Sequence, residues 1–272
     1  MPERPHSFKR LVLGLQPSAP DRTMELAVDL ADLLHLDLLG LFLDDTDLHD
    51  LASMPFAREF RPLGGGWHAI DLDRLSNDVE LAARNIERMF TEAAKRLPTR
   101  SQFEIVRGPL AKTFASVSPT DDIVMIVEPV SAAERATQQF AWLVQAAFQS
   151  AAAVMLVPPQ IARTKGPIVA IAATPDDPSI HTAAAIAVAA KEKLVVIEAR
   201  GVVLPDPAIC AQAFRHSQER LIVMTRGAFE DGAASTIAAA RRVPVLVIEP
   251  PEDMAAPRPD TQDAPLGARD AE

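Results

Sequence analysis

The chain has very little cysteine, no tyrosine and no long apolar run. Cys210 is the only cysteine in 272 residues, which excludes an intrachain disulfide and a cysteine-based zinc site. No apolar segment approaches the roughly 20 residues that a membrane-spanning helix requires. The first residues also lack the apolar stretch of a signal peptide. We therefore expect a cytoplasmic protein with no membrane insertion.

Clusters of positive charge are absent as well. The net charge is -10, and the Lys and Arg residues are scattered along the sequence. Binding to phosphate backbones or to an anionic membrane surface requires basic side chains gathered on one face. The charge pattern therefore argues against nucleic acid or an anionic membrane as the main partner.

The usual sequence signatures of enzymes are missing too. The chain has no Gly-x-Ser-x-Gly elbow and no two histidines one helical turn apart, and Cys210 lies in an Ala-rich stretch typical of an inert buried thiol. Residues 44–50 include four Asp side chains, whose oxygens could bind a hard cation. No second ligand cluster accompanies them, so a solvated acidic loop is the simpler interpretation. We expect no catalytic residue, no metal and no cofactor.

What the chain does contain is an internal repeat. Three apolar segments of the first half recur in the same order in the second half, 10–16 as 167–173, 123–125 as 222–224, and 154–157 as 245–248. A tandem duplication with a shortened second copy explains this pattern. We assign residues 1–163 to the first domain and 164–250 to the second. Residues 251–272 are rich in Pro, Asp, Ala and Gly and are predicted to be a disordered tail.

Apolar periodicity predicts alternating strands and helices in both copies. The first copy is predicted to have strands at 10–16, 38–44, 103–106, 123–127 and 154–157, with helices at 21–35, 73–97, 109–117 and 132–149. The second is predicted to have strands at 168–172, 194–198, 221–225 and 245–248, with helices at 179–191, 208–215 and 233–241. Such alternation predicts parallel sheets covered on both faces. Residues 45–72, rich in Pro and Gly, are predicted to be an irregular insertion.

Several segments resemble the universal stress protein family. They are Arg107-Gly-Pro109, Asp121-Asp-Ile-Val-Met125 and the closing Val243-Pro-Val-Leu-Val-Ile248, together with a second strand that ends in acidic residues. The resemblance implies two tandem flavodoxin-like α/β units with doubly wound parallel sheets. Members of the family often pair through their last strands. We expect that pairing here, either within the chain as a pseudo-dimer of its two fifth strands or between chains as a homo-oligomer.

The resemblance also implies where a nucleotide would bind, and the first copy departs from that pattern. Nucleotide-binding members have an Asp after the first strand and a Gly-rich phosphate loop after the fourth. Here the Asp positions hold Gln16 and Ala173, and no glycine lies between Gly108 and Gly166. Glu128 and Glu134 place carboxylates where phosphates would sit, which adds repulsion. The first copy is therefore predicted not to bind ATP.

The second copy keeps part of the phosphate loop. Its candidate nucleotide-binding residues are Gly227, Gly232, Ser235 and Thr236, because glycines allow backbone N–H groups to approach an anion at a helix start. The alternative is that Gly232 and the preceding Asp231 only form a turn and cap the following helix.

The insertion carries a different kind of candidate. Aromatic and Arg side chains are the common anchors of protein interfaces, and this short segment contains Phe56, Arg58, Phe60, Arg61 and Trp67. These residues are predicted to bind a protein partner. A lid folded over the chain's own cleft would have the same composition.

Together these features predict a non-catalytic stress-response regulatory or adaptor protein with degenerate nucleotide sites. The alternative function is an adenine-nucleotide sensor, or a weak nucleotide hydrolase, that uses the second copy.

Overall fold

The computed structural model describes residues 8–15, 21–61, 66–108, 117, 120–198, 218–227 and 232–250. Within these ranges the strands are β1 (Arg10–Leu15), β2 (Asp37–Asp45), β3 (Arg58–Arg61), β4 (Gly66–Ala69), β5 (Ser101–Gly108), β6 (Asp122–Val127), β7 (Ala153–Val157), β8 (Ile168–Ala172), β9 (Leu194–Glu198), β10 (Leu221–Thr225) and β11 (Val245–Ile248). The helices are α1 (Asp21–Leu34), α2 (Thr46–Ser53), α3 (Leu72–Ala94), α4 (Ala132–Arg135), α5 (Gln138–Ser150), α6 (Pro178–Ala190) and α7 (Ala233–Arg241).

Nine of these strands form one sheet in the order β5-β2-β1-β6-β7-β11-β10-β8-β9. Neighbouring strands are parallel within each half of the sheet, and β7 and β11 are antiparallel where the halves meet. The α/β class with a flavodoxin-like, mostly parallel sheet is confirmed. The two sheets expected from the sequence are joined edge to edge into one.

The joint is made by the two fifth strands, which pair within the chain as expected. Val154 lies opposite Val247, and Met155 lies opposite Leu246. Met155 and Leu246 are the second residues of the segments 154–157 and 245–248, which the sequence predicts to be repeats of each other. All these side chains are buried. The pairing removes two apolar edges that would otherwise be open to aggregation.

The interior strands are apolar along most of their length, with polar residues mainly at their ends, because both faces of the sheet are covered. One face packs against α1, α3 and α6, and the other carries two clusters beneath α5 and α7. Phe148 of α5 and Ala234 of α7 pack against both of those clusters. The apolar core therefore continues across the joint between the halves.

The insertion at 45–72 was wrongly predicted to be irregular. It contains α2 and an antiparallel hairpin of β3 and β4, in which Phe60 lies opposite Trp67. The prolines and glycines that suggested irregular structure lie mostly between the elements. The four-residue strands are too short to give a clear alternating pattern.

The single helix predicted at 132–149 is interrupted. Thr137 has extended backbone angles, and its hydroxyl oxygen accepts a hydrogen bond from the Phe140 N–H at 3.3 Å, which makes it the N-cap of α5. A threonine hydroxyl competes with the helical backbone for hydrogen bonds, and here it separates α4 from α5. The predicted helix at 208–215, all but residue 117 of the one at 109–117, and the predicted tail lie outside the described residues. The division into two domains at residue 163 stays a prediction.

In the part of the chain that the structure describes, no helix combines the length and hydropathy needed to cross a membrane.

We expect the two halves to stay associated after a single cut between Thr164 and Lys165, which lie between β7 and β8. The β7–β11 pairing and the shared clusters would hold them together, because exposing this apolar surface is unfavourable. The measurement is gel filtration of the chain carrying a protease site at this position. Leu246→Glu in the cut chain is the control, since it buries a charge opposite Met155 and should separate the halves. Free separation of the unmutated halves would contradict the expectation.

Candidate functional site

The sheet changes its winding direction at β8 in the second half, where β9 lies on one side and β10 on the other. In open parallel sheets, ligands bind in the crevice at the carboxyl ends of the strands beside such a switch point. The candidate site of the second copy is therefore the space between the ends of β8 and β10.

A carboxylate of the chain itself lies at this place. Asp177 is the N-cap of α6 and is 3% exposed. One of its oxygens accepts hydrogen bonds from the Ser179 N–H (2.9 Å) and the Thr225 hydroxyl (2.5 Å). The other accepts from the Ala173 N–H at 2.9 Å. Asp177 thus ties the end of β8 to the end of β10 and uses the donors there.

The sequence did not predict Asp177, because the family resemblance implies an Asp directly after the strand, and that position holds Ala173. A signal was nevertheless present, since Asp followed by Pro178 is a typical start of a helix. What the sequence could not predict is the bond to Thr225, which lies 48 positions away in the chain.

The residues predicted to bind a nucleotide lie around the start of α7. Gly227 follows β10, and Gly232 is the N-cap of α7, with positive φ angles of 78° and 86°. No side chain caps the helix at Gly232. The Thr236 hydroxyl donates to the Gly232 carbonyl at 3.1 Å, so it serves the first turn of the helix. Asp231, the other residue of the capping alternative, lies outside the described residues.

Ser235 faces an acidic side chain of the first half. Glu128, directly after β6, is 2% exposed, and neither of its carboxylate oxygens has a hydrogen-bond partner of good geometry among the described residues. Burial raises the pKa of the Glu128 carboxyl, and the nearby Ser235 hydroxyl and Arg135 guanidinium offset part of this rise. The carboxylate predicted to oppose phosphate in the first copy therefore lies buried at the end of the fourth strand of that copy.

The acidic segment at the end of β2 has a structural role. One oxygen of the buried Asp44 carboxylate lies 2.8 Å from Arg107 Nε, at the end of β5, and the other lies 3.1 Å from His49 Nε2, on α2. These contacts hold α2 and the edge strand at the end of β2. In the described ranges, no three His, Cys, Asp or Glu side chains are grouped so that they could hold a metal ion.

The aromatic residues of the insertion are exposed. Phe60 and Trp67 form a cross-strand pair with ring centroids 5.5 Å apart, and they are 57% and 64% exposed. Phe56 is 76% exposed. Arg58 begins β3, and the Arg61 backbone pairs with Gly66 at the other end of the hairpin. All three rings face solvent.

An ion pair connects the hairpin to the first helix after it. The Arg74 guanidinium of α3 donates to the Glu59 carboxylate at 2.5 Å. The helix start is itself fixed, because the Asp71 side chain accepts a hydrogen bond from the Arg74 N–H at 3.0 Å. The exposed rings are thus carried on an anchored hairpin.

Solved structures with the same arrangement of strands and helices identify the fold. A universal stress protein from Archaeoglobus fulgidus DSM 4304 superposes with a TM-score of 0.55 at 11% identity, covering 89% of this chain and 97% of that chain. This chain has the universal stress protein fold. A functionally unknown protein from Pseudomonas aeruginosa PAO1 superposes with a TM-score of 0.52 at 14% identity, covering 90% of this chain and 94% of that chain. No protein-family model matches the sequence, and no curated protein is significantly similar to it.

We expect Asp177→Ala to lower the free energy of unfolding by at least about 2 kcal/mol, because it removes an N-cap and leaves three donors without their acceptor. Urea unfolding measures this change. Asp176→Ala is the matched control, since Asp176 is an exposed neighbour and its removal should cost no more than about 0.5 kcal/mol. Equal stability of the two variants would show that the Asp177 network is not structurally important.

Proposed function

We propose that this protein is a cytoplasmic, non-catalytic regulatory or adaptor protein of the stress response. In this proposal its two nucleotide sites are degenerate, and the β3–β4 hairpin binds a protein partner. The observation that carries the proposal is the Asp177 carboxylate at the switch point between β8 and β10.

Electrostatics support the loss of nucleotide binding. Both oxygens of the Asp177 carboxylate are already bonded within the chain, to the Ala173 and Ser179 N–H groups and to the Thr225 hydroxyl. The carboxylate is therefore not free to bind a ligand, and it would repel a phosphate placed beside it. Two like charges about 4 Å apart repel by about 4 kcal/mol near a protein surface. In the first copy, Glu128 lies at the end of the fourth strand, without the glycines of a phosphate loop.

Exposure supports the partner-binding role of the hairpin. Phe56, Phe60 and Trp67 are more than half exposed and belong to one short segment. Grouped exposed aromatic residues are typical of interaction surfaces in otherwise well-packed proteins. The ion pair of Glu59 with Arg74 holds the hairpin in place before any partner arrives, which lowers the entropy cost of binding.

One observation favours the alternative, an adenine-nucleotide sensor or weak hydrolase that uses the second copy. The amino terminus of α7 has a glycine N-cap, and no side chain of the described residues caps it. Its first N–H groups therefore remain candidates for an anion, with Gly227, Gly232, Ser235 and Thr236 nearby in sequence.

We expect neither ATP nor AMP to stabilise the protein against heat. A nucleotide at a hundred times its dissociation constant would add about 2.7 kcal/mol to the free energy of unfolding, which gives an easily measured shift in Tm. The measurement is thermal unfolding with ATP or AMP at millimolar concentrations, with and without Mg²⁺.

A saturable rise in Tm would contradict the degenerate-site proposal. Loss of that rise in Ser235→Ala or Gly232→Val would then place the ligand at α7 and favour the sensor. Ser235→Ala is the milder change of the two, because the φ of 86° at Gly232 strains any other residue.

We expect the triple substitution of Phe56, Phe60 and Trp67 by Ala to abolish partner binding and to leave the fold intact. Interface anchors commonly contribute 2 kcal/mol or more each, whereas exposed side chains contribute little to stability. Proteins retained from a lysate of the native host by the tagged chain can be quantified by mass spectrometry, with far-UV circular dichroism as the test of folding.

Trp142→Ala is the matched control, since Trp142 is an equally exposed aromatic residue on α5, outside the hairpin. It should retain the same proteins as the unmutated chain. A triple variant with the same retained proteins would refute the docking role of the hairpin. A large fall in Tm would favour the lid interpretation instead.

A further inference from the structure

Glu128 is a buried acid whose burial has no role in the fold or in the proposed function described above. Its backbone N–H donates to the Val157 carbonyl at 2.8 Å, which fixes the residue beside the end of β7. Its side chain is buried, and neither carboxylate oxygen has a hydrogen-bond partner of good geometry among the described residues. Burying an ionised carboxylate in this state is strongly unfavourable, so the surroundings favour the neutral acid.

The side chain lies where the two halves of the sheet meet. Glu128 belongs to the first half, but the hydroxyl near its carboxyl is that of Ser235, in the first turn of α7 from the second half. The helix packs on β7 and β11, one strand from each half. Ala234, next to Ser235, packs against the apolar clusters of both halves. Ionisation of Glu128 would therefore place a charge at the contact of α7 with the two halves of the sheet.

The charged groups around Glu128 do not neutralise it directly. Arg135 of α4 is the cation whose charge reaches the carboxyl, but its guanidinium donates to the carbonyls of Pro129 (2.8 Å) and Val130 (3.3 Å). Ser235 contributes an uncharged hydroxyl from α7, and Val157 at the end of β7 is apolar. Glu134 on α4 is exposed.

We propose that Glu128 is a proton-controlled latch between the two halves: as a neutral acid it packs beneath α7, and its ionisation weakens the contact of α7 with the sheet. The proposal goes beyond the regulatory function above and does not depend on it.

The expected pH dependence follows from the raised pKa of this carboxyl. Between the ordinary glutamate pKa of 4.5 and the raised value in the folded protein, the folded state holds a proton that the unfolded state has lost. The stabilising effect of that proton is complete below pH 4.5 and is lost as the pH rises through the folded pKa. Within this window the equilibrium constant for opening of α7 rises up to about tenfold per pH unit.

The first test compares opening of α7 in the full-length chain and its variants by hydrogen exchange between about pH 4 and pH 8. Glu128→Gln keeps the shape of the side chain and cannot ionise. Glu134→Gln, an exposed carboxylate six positions along, is the matched control. The α7 amides of Glu128→Gln should become better protected relative to the unmutated chain as the pH rises, whereas those of Glu134→Gln should follow the unmutated chain.

The second test observes the proton itself. Infrared spectra at a pH where exposed carboxylates are ionised should contain the carbonyl band of a protonated acid in the unmutated chain and in Glu134→Gln, but not in Glu128→Gln. Both results are required. A missing band, or an α7 pH profile in Glu128→Gln parallel to that of the unmutated chain, would overturn the proposal. If Glu128→Gln does not fold, the unmutated chain must itself show the band at a pH where exposed carboxylates are ionised, and α7 protection must fall over the pH range in which the band is lost. Absence of either result overturns the proposal.

Discussion

The antiparallel pairing of β7 with β11 is the contact on which the rest of the structure depends. It joins a five-stranded and a four-stranded parallel sheet into one nine-stranded sheet and buries a wholly apolar strand of each half. It also brings α5 and α7 onto one face, where Phe148 and Ala234 pack against the clusters of both halves. Because α5 and α7 each pack on both halves, a change in packing at this joint also affects the ends of β6 and β10.

The strand next to the joint in each half, β6 in the first and β10 in the second, ends against the opposite half in a different way. Beyond the end of β10, the Arg226 guanidinium lies 4.7 Å from the Phe148 ring centroid of α5 and is paired with Glu249 at 3.0 Å. Beyond the end of β6, Glu128 lies near Ser235 of α7 and forms no ion pair within the described residues. A paired charge is compensated whether or not the surroundings are apolar, whereas an unpaired buried acid is stable only while it is neutral. Of the two positions, Glu128 is therefore the one at which the proposed proton latch would act.

Sequence reasoning predicted the regular part of this fold well, because long apolar runs in a doubly covered sheet are a strong signal. The strands at 168–172, 194–198, 221–225 and 245–248 were predicted with the bounds that the structure has. Short-range polar contacts explain why the single helix predicted at 132–149 is wrong. The Thr137 hydroxyl ends one helix and begins the next. The bond between Asp177 and Thr225 and the burial of Glu128 are set by residues distant in the chain, and periodicity contains no information about them.

The internal joint also constrains where this protein can meet others. In the universal stress protein fold, a fifth strand left open is a ready surface for pairing, but here both fifth strands are already paired within one chain. The partner binding proposed above would therefore use another surface, and the β3–β4 hairpin is more exposed than the outer strands β5 and β9. The hairpin has the largest exposed aromatic side chains of these three surfaces and is anchored on α3 through Arg74.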